Sequence, residues 1–244
     1  MIRHAMVLAA GRGTRLAPLT DTLPKPLMPV GGRPLLEHLL TFLRAGGIDE
    51  VVINLHHLGD RIEATIGDGS RFGLCVRYSR EQEIRDTGGG IKHAAPLLGR
   101  EPFVVVNGDS LLELDLRAVT SFHETRGGLA TLAVRPDPDA ARYGLVELDA
   151  GDRVRRIAGL PADAAVPAPL RPFMFPGLHV LEPEVLDWMD DGAAFSITRV
   201  TYPRLLAAGR AIHGYATDAR WVTIDTPEAL AAADALLTRR PFRF

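Results

Sequence analysis

Cysteine, aromatic residues and long apolar segments are all scarce in this sequence, and each shortage excludes a class of protein. Cys75 is the only cysteine among 244 residues, so no disulfide can form within the chain. The 9 Phe, 4 Tyr and 2 Trp are scattered, and no aromatic cage for a quaternary ammonium is recognisable. No run of about 18 apolar residues and no signal-peptide pattern is present. We therefore expect a soluble cytoplasmic protein without a membrane partner.

An excess of charge is also missing. The chain carries 28 Lys and Arg against 30 Asp and Glu, a formal net charge of −2. This balance gives no general attraction to nucleic acid, so we expect no nucleic-acid partner and predict that any anion site is local.

Cys75 lies in the alternating run GLCVRYS and is expected to be a small core residue of a strand.

The first 110 or so residues contain short apolar runs rich in Val and Ile, separated by segments with helical spacing. HAMVLAA, EVVINL, LCVRYS and FVVVNGD are predicted strands. Continuous apolar strands are buried on both faces, which predicts an α/β fold: a doubly wound, mostly parallel, Rossmann-like sheet with helices on both faces.

Later segments predict other elements. The runs GGLATLAVRP and YGLVELDAGDRVRRIAGLP predict a small antiparallel insertion. Five prolines between residues 161 and 176 predict an irregular loop. TPEALAAADALLTRR predicts a last helix with Thr226 as N-cap and Pro227 at its first position.

A glycine-rich turn, AAGRGTR, follows the first predicted strand, at the sheet edge where open parallel sheets bind ligands. Gly11 and Gly13 lack the Cβ that would keep phosphate oxygens away from backbone N–H groups. Arg15 and Lys25 can neutralise phosphate charge, and Lys25 stands between two prolines that we expect to hold the loop extended. The glycine spacing matches neither the dinucleotide fingerprint nor the P-loop.

These residues carry a family resemblance. LAAGRGTRLAPLTDTLPKPLMPVGGRPLLEHLL resembles the signature of the sugar-phosphate nucleotidyltransferases, or NDP-sugar pyrophosphorylases, which join a nucleoside triphosphate to a sugar 1-phosphate and release pyrophosphate. The resemblance continues through DGSRFGLCVRYSREQEIRDTGGGIKHA, VVVNGDS, PGLHVLEPEVLD and YPRLLAAGRAIHGY. It implies a single domain over 1–244, with a nucleotide-binding half at 1–110 and a sugar-phosphate-binding half at 111–244.

The resemblance also implies roles for matching residues. Arg15 would hold the β- and γ-phosphates, and Lys25 the α-phosphate region and the sugar phosphate. The run from Gly88 to Gly90 would let a flat base lie against the main chain. The implied nucleotide-binding residues are Leu8, Ala10, Gly11, Gly13, Thr14, Glu81, Thr87, Gly88 and Gly89, and the implied sugar-binding residues are Asn107, Tyr143, Gly144 and Gly177.

The metal site is where this sequence departs from its relatives. Asp109, after a predicted buried strand, resembles the family's first ligand for Mg²⁺, which takes carboxylates, phosphate oxygens and waters. Many members carry a second Asp in Trp-x-Asp before Gly-Thr-Pro, whereas WVTIDTP has Thr223 there and Asp225 in place of the glycine. We expect Asp225 to be the second metal ligand. The alternative is an Asp whose charge merely suits the following helix dipole.

The resemblance leaves the substrates open. The Glu-Lys-Pro motif that holds the sugar phosphate in longer members is absent, as in a compact subgroup similar to N-acetylmuramate-1-phosphate uridylyltransferase, which makes UTP the first expectation. Guanylyltransferases for mannose or heptose 1-phosphate, with GTP, remain alternatives. A cytidylyltransferase for a non-sugar phosphate such as phosphocholine and a non-catalytic nucleotide-sugar-binding regulator are the others. A monomer or homodimer is expected.

Overall fold

A seven-stranded sheet forms the centre of the computed structural model, which describes residues 1–140, 144–162 and 169–244. The same residues also form three smaller sheets. The strands of the described residues are β1 (His4–Leu8), β2 (Pro29–Val30), β3 (Arg33–Pro34), β4 (Glu50–Leu55), β5 (Cys75–Arg80), β6 (Phe103–Asn107), β7 (Ser110–Glu113), β8 (Ala130–Val134), β9 (Leu145–Leu148), β10 (Val154–Ile157), β11 (Arg171–Met174), β12 (Leu178–Leu181), β13 (Ile212–Ala216) and β14 (Arg220–Thr223).

Helices connect most of these strands, and short 3₁₀ turns shape the loops. No helix in the described ranges is long and apolar enough to cross a bilayer. The α-helices are α1 (Leu35–Ala45), α2 (Gly59–Ile66), α3 (Asp86–Leu98), α4 (Leu116–Arg126), α5 (Tyr202–Ala207) and α6 (Pro227–Arg239); 3₁₀ turns lie at Thr14–Leu16, Leu19–Asp21, Lys25–Leu27, Ser70–Phe72 and Pro183–Trp188, and a π-helical turn at Ile197–Thr201.

The main sheet is mostly parallel, as predicted. Its strand order is β13-β8-β12-β6-β1-β4-β5, and β12 alone runs antiparallel to its neighbours β6 and β8. Alternate residues of β6 enter two different hydrophobic clusters: Val104 packs with α1 and α2 on one face, and Val105 packs with α3 and α5 on the other. Helices on both faces confirm the doubly wound α/β prediction.

The region after residue 128 divides between two sheets. β9, β10 and β11 form the predicted small antiparallel sheet, whereas GGLATLAVRP supplies β8 of the main sheet, which the sequence prediction had wrongly placed in the insertion. The proline-rich stretch is also not wholly irregular, because Arg171–Met174 forms β11. β11 lies at the edge of its sheet, next to β9, and its Met174 also bridges to Arg135 on the other side. Proline, which lacks an N–H, is tolerated in such an edge strand at Pro172.

The prediction for Cys75 is wrong. It begins β5, one of the two edge strands of the main sheet, and Cys75 is exposed while Val76 is buried. Successive side chains of a strand point to opposite faces of the sheet. If the buried face is assigned to the wrong set of alternate residues, every residue of the strand is therefore predicted on the wrong face. The predicted last helix is confirmed as α6, where the Thr226 side chain accepts a hydrogen bond from Ala229 N.

Three glycines in the first turns of α3 allow a neighbouring segment to lie against the helix. The carbonyl of Phe195 accepts hydrogen bonds from Gly88 N at 2.8 Å and Gly89 N at 3.3 Å. A Cβ on Gly89 would stand 2.3 Å from the carbonyl oxygen of Ala193, and one on Gly88 would stand 2.2 Å from the Phe195 ring. The chain around Phe195 thus satisfies helix N–H groups that have no partner within the helix.

We predict that Gly89→Ala destabilises the protein by about 1–3 kcal/mol, because backbone atoms must move to admit the methyl group, even though alanine favours a helix. Urea unfolding followed by circular dichroism measures the change. Gly151→Ala is the matched control, because its Cβ would meet nothing closer than 3.5 Å, and its stability should stay within about 0.5 kcal/mol of the wild type. Equal stabilities for the two variants would contradict this account of α3.

Candidate active site

A cavity of about 450 Å³ opens at the carboxyl ends of β1, β4 and β6. Leu8 and Asn107 are the last residues of β1 and β6, and Asn54 lies near the end of β4. The loop that follows β1 forms one wall. This is the edge at which open parallel sheets bind ligands, so the topology itself places the cavity where a site is expected.

Most residues that the sequence singles out border this cavity. Gly88, Gly89 and Gly177 do not line it, Gly144 lines a second cavity, and Tyr143 lies outside the described residues. The candidate residues that do line it are Leu8, Ala10, Gly11, Gly13, Thr14, Arg15, Lys25, Glu81, Thr87, Asn107, Asp109 and Asp225.

Four charged side chains meet at one end of the cavity. Lys25 Nζ lies 2.8 Å from Asp109 Oδ2 and 2.5 Å from Asp225 Oδ1. Arg15 contacts the same Asp225 oxygen at 3.1 Å. The side chain of Lys25 is only 10% exposed, whereas that of Arg15 is 68% exposed. An enclosed ammonium shared by two carboxylates therefore lies beside a guanidinium that faces solvent.

The loop carries Lys25 inward in a bent rather than an extended form, contrary to the expectation from its flanking prolines. Pro24 is extended, but Lys25–Leu27 forms a 3₁₀ turn closed by a hydrogen bond from Leu27 N to Pro24 O. Pro26 fits this turn because a position so near its start needs no N–H donor. The turn is itself packed into the protein, because Pro26 and Leu27 are buried together with Lys25.

Asp225 is ionised at neutral pH. Its burial opposes ionisation, but the hydrogen bond from Lys25 and the charges of Lys25 and Arg15 together outweigh burial and hold the pKa of Asp225 below its ordinary value. Thr223 does not join the cluster: its hydroxyl donates to the backbone carbonyl of Asp109 at 3.3 Å. The carboxylate opposite Asp109 is therefore that of Asp225.

The pair Asp109 and Asp225 has the donor chemistry that Mg²⁺ requires. Both are carboxylates that border the cavity, and both already share one cation, the ammonium of Lys25. Mg²⁺ prefers oxygen ligands and is usually bound by one or two carboxylates together with substrate phosphates and waters. The donor set fits such an ion.

Gly11 and Gly13 differ in what they require. Gly13 has a left-handed φ of +63°, and a Cβ there would lie 2.9 Å from Thr20 Cγ2, so local structure demands glycine. Gly11 has no such φ, and a Cβ there would meet nothing within 4 Å. Gly11 borders the cavity, so the space beside it is space that a ligand can use.

Asn54, which the sequence analysis missed, links two walls of the cavity. Its side-chain oxygen accepts a hydrogen bond from Ala9 N at 2.6 Å, and its amide donates to Glu81 Oε1 at 2.7 Å. Glu81 Oε2 accepts from Arg85 N at 3.0 Å. The available signal was a single polar residue near the end of the apolar strand EVVINL.

A smaller cavity of about 150 Å³ adjoins the first, and Leu8, Thr87 and Asn107 line both. Gly144 belongs to its wall. Gly177 acts on Asn107 instead: its carbonyl accepts from Asn107 N at 2.9 Å, and a Cβ on Gly177 would stand 2.3 Å from Asn107 Nδ2. Gly88 and Gly89 pack against the chain near Phe195, so their part in holding a base stays a prediction.

Known proteins resemble this chain over most of its length. The family model described as nucleotidyl transferase matches residues 4–240. A mannose-1-phosphate guanylyltransferase of Mycobacterium tuberculosis is 36% identical over 96% of this chain and 64% of its own length. An N-acetylmuramate alpha-1-phosphate uridylyltransferase of Neisseria meningitidis is 35% identical over 95% of this chain and 97% of its own. The chain thus spans less than two thirds of the mycobacterial relative.

A solved structure shares the fold. The UDP-glucose pyrophosphorylase of Acinetobacter baumanii superposes with a TM-score of 0.80 at 20% identity, over 99% of this chain and 95% of that one. Similarity at this level of identity concerns the fold alone.

We predict that Lys25→Met raises the pKa of Asp225 in metal-free buffer, because the burial that opposes ionisation remains while the nearest cation is lost. Carboxyl ¹³C NMR measures the titration. Arg15→Met is the control and should produce a smaller rise, since the exposed guanidinium is screened by water.

The same shift has a consequence for stability. A lowered folded-state pKa means that Asp225 stabilises the protein above its unfolded pKa, and that this contribution is lost as the pH falls through the folded-state value. The free energy of unfolding should therefore depend less on pH in the acidic range in Lys25→Met than in the wild type. An unchanged pKa of Asp225 in this variant would contradict the assigned cluster.

Proposed function

The chain belongs to the nucleotidyl transferase family, and on that premise we propose that it joins a nucleoside triphosphate to a sugar 1-phosphate and releases pyrophosphate. The observation that carries the proposal is the cluster of Arg15, Lys25, Asp109 and Asp225 at the end of the glycine-lined cavity. Transfer between two phosphates needs positive charge at the reacting centre and carboxylates that can hold a divalent cation.

The proposed reaction is a direct in-line displacement. An oxygen of the sugar 1-phosphate attacks the α-phosphorus of the triphosphate, and a new P–O bond forms. The bond between the α-phosphorus and its bridging oxygen breaks, and its electron pair leaves with pyrophosphate. No protein nucleophile takes part, so catalysis depends on holding the two phosphates in line and offsetting their charge.

Each charged residue has a distinct task in this reaction. Lys25, enclosed and fixed by two carboxylates, offsets charge at the α-phosphate and the attacking phosphate. Arg15, whose side chain is exposed to solvent, binds the departing pyrophosphate. Asp109 and Asp225 would hold Mg²⁺, which when bound supplies further positive charge to the phosphates.

The remaining residues suggest which cavity binds which substrate. We assign the nucleotide to the larger cavity, formed chiefly by the half at 1–110, with Gly11 beside the phosphates and Glu81 and Thr87 near the base. We assign the sugar to the smaller cavity, where the half at 111–244 contributes Gly144 and where Asn107 lies at the boundary. Tyr143, outside the described residues, is kept as a predicted sugar contact.

Uridylyl transfer to N-acetylmuramate 1-phosphate is our first candidate for the specific reaction. Its support is the match over 97% of the length of the Neisseria meningitidis relative. Guanylyl transfer to mannose 1-phosphate is the second candidate, supported by the 36% identity to the mycobacterial relative, and heptose 1-phosphate is kept as an alternative sugar. The assembled charge cluster weighs against a purely regulatory, non-catalytic protein.

A pyrophosphate-release assay tests the proposal. It crosses UTP, GTP, CTP and ATP with the 1-phosphates of N-acetylmuramate, mannose, heptose and glucose and with phosphocholine, each with Mg²⁺ and with EDTA. We predict turnover of at least one sugar 1-phosphate with Mg²⁺, and a loss of about a hundredfold or more in kcat in Lys25→Ala, because the charge at the reacting phosphates is then uncompensated.

The matched control is Lys92→Ala. The chain has only these two lysines, and Lys92 binds the carbonyl of Leu186 at 2.9 Å, away from the residues of the larger cavity. Lys92→Ala should keep the wild-type rate. The proposal fails if the wild type releases no pyrophosphate from any pair, or if Lys25→Ala turns over normally.

Gly11→Ala tests the place of the triphosphate. We predict that the KM for the nucleoside triphosphate rises about tenfold, equivalent to about 1.4 kcal/mol, because the added methyl group occupies space next to backbone N–H groups that would meet phosphate oxygens. Thermal unfolding should be unchanged, since a Cβ at Gly11 meets no protein atom within 4 Å. Gly13→Ala, strained at φ +63°, should instead lose stability. An unaltered KM for the nucleoside triphosphate in Gly11→Ala would contradict the assignment of the triphosphate to this loop.

A further inference from the structure

The smaller cavity borders a buried histidine for which the proposed reaction has no use. His179 lies on β12 in register with Val105 of β6 and Leu132 of β8, and the residue is 1% exposed. Phe175 stands next to it, with ring centroids 5.4 Å apart. A polar ring in an otherwise apolar face of the sheet is costly to bury unless its nitrogens are used.

One nitrogen of the ring is bound to a tyrosine. His179 Nδ1 forms a hydrogen bond with the hydroxyl of Tyr202, which begins α5 and is fully buried. Burial raises the pKa of Tyr202, so its hydroxyl keeps the proton. Within the described residues that hydroxyl contacts no other polar partner, so only donation to Nδ1 satisfies its proton.

The position of the ring proton follows. Burial lowers the pKa of His179 to about 3, so the imidazole is neutral and carries one N–H. Because Nδ1 accepts from Tyr202, that N–H is on Nε2. Nε2 has no hydrogen-bond partner in the described ranges, yet it is not fully enclosed by protein atoms. The open space that His179 borders is the smaller cavity.

We propose that His179 is a specificity-determining residue whose Nε2–H donates a hydrogen bond to an uncharged oxygen of the sugar, either a hydroxyl or the carbonyl of an acyl group. Tyr202 is the positioning residue that holds the ring in this donor form. The inference rests on the proposed function, because it takes the occupant of the smaller cavity to be the sugar.

The chemistry of the donor limits what it recognises. A neutral N–H adds no charge, so it contributes to selection of the sugar rather than to binding of the phosphates, which Lys25 and Arg15 serve. A substrate that lacks the matching oxygen leaves a buried donor unpaired, and enzymes discriminate strongly against such substrates. Ser196 and Thr198, whose hydroxyls lie 3.0 Å apart and which line the same cavity, also carry no charge.

The test combines enzyme variants with deoxy analogues of the sugar 1-phosphate that the wild type turns over fastest. We expect one analogue, lacking a single hydroxyl or acyl oxygen, to lose about tenfold in kcat/KM with the wild type and less than about twofold with His179→Phe. His179→Phe should raise the KM for the intact sugar 1-phosphate about tenfold without altering the KM for the nucleoside triphosphate.

Two further variants separate hydrogen bonding from packing. His179→Gln retains an N–H donor at nearly the same reach and should recover most of the loss. Tyr202→Phe removes the donor to Nδ1, so the N–H can move between the two nitrogens, and the KM for the sugar should rise by less than in His179→Phe. Imidazole ¹⁵N NMR should show an Nε2–H tautomer in the wild type that does not titrate between pH 5 and 8, and a mixture of tautomers in Tyr202→Phe.

The outcomes distinguish this inference from the function on which it rests. If the wild type releases no pyrophosphate with any sugar, the proposed function fails, whatever the NMR shows. If the wild type is active but no single oxygen deletion costs more than about twofold, the inference is overturned. That measurement uses wild-type protein alone, so it can overturn the inference even where His179→Phe does not fold. An Nδ1–H tautomer in the wild type, or equal loss in His179→Gln and His179→Phe, would also overturn it.

Discussion

The pairing of Lys25 with Asp109 and Asp225 is the constraint on which the site depends. The lysine is 84 residues from one partner and 200 from the other, and its ammonium is largely removed from water. A buried charge without partners is strongly destabilising, so each of the three segments must hold its place for the others to be stable. Different elements supply those places: Lys25 lies in the loop after β1, Asp109 follows β6, and Asp225 lies between β14 and α6.

This dependence gives Asp225 its place two residues after Thr223, the position at which the family resemblance leads us to expect a carboxylate. Thr223 ends β14, which pairs with β7, and its hydroxyl meets the backbone of Asp109. The chain then turns before Thr226 caps α6, and the turn brings the carboxylate of Asp225 to Lys25. Lys25 therefore has a second carboxylate beside it although Thr223 supplies none.

The sequence predicted the parts of the fold and site that depend on local chemistry. Apolar runs identified the main parallel strands, and the glycine turn, Arg15, Lys25, Asp109 and Asp225 are brought together as expected. What it could not provide were properties set by tertiary neighbours. Whether the side chain of Cys75 is buried or exposed depends on which face of its edge strand other elements cover. Pro172 is accepted in β11 because that strand lies at the edge of its sheet.

The glycines of α3 and the histidine of β12 show why the remainder could not be predicted. Gly88 and Gly89 suggest a loop or a base-binding surface when seen in sequence, but the structure uses them to admit the carbonyl of Phe195. His179 gives no signal in LHVLEP, because its chemistry is set by Tyr202, a residue 23 positions away. The segment that follows Phe195 also reaches the smaller cavity through Ser196 and Thr198, and it leads into Tyr202. The close packing at α3 and the position of the proton on His179 thus depend on the same stretch of chain. In this protein, ion pairs position the residues of the larger cavity, whereas uncharged hydrogen bonds and packing position those of the smaller one.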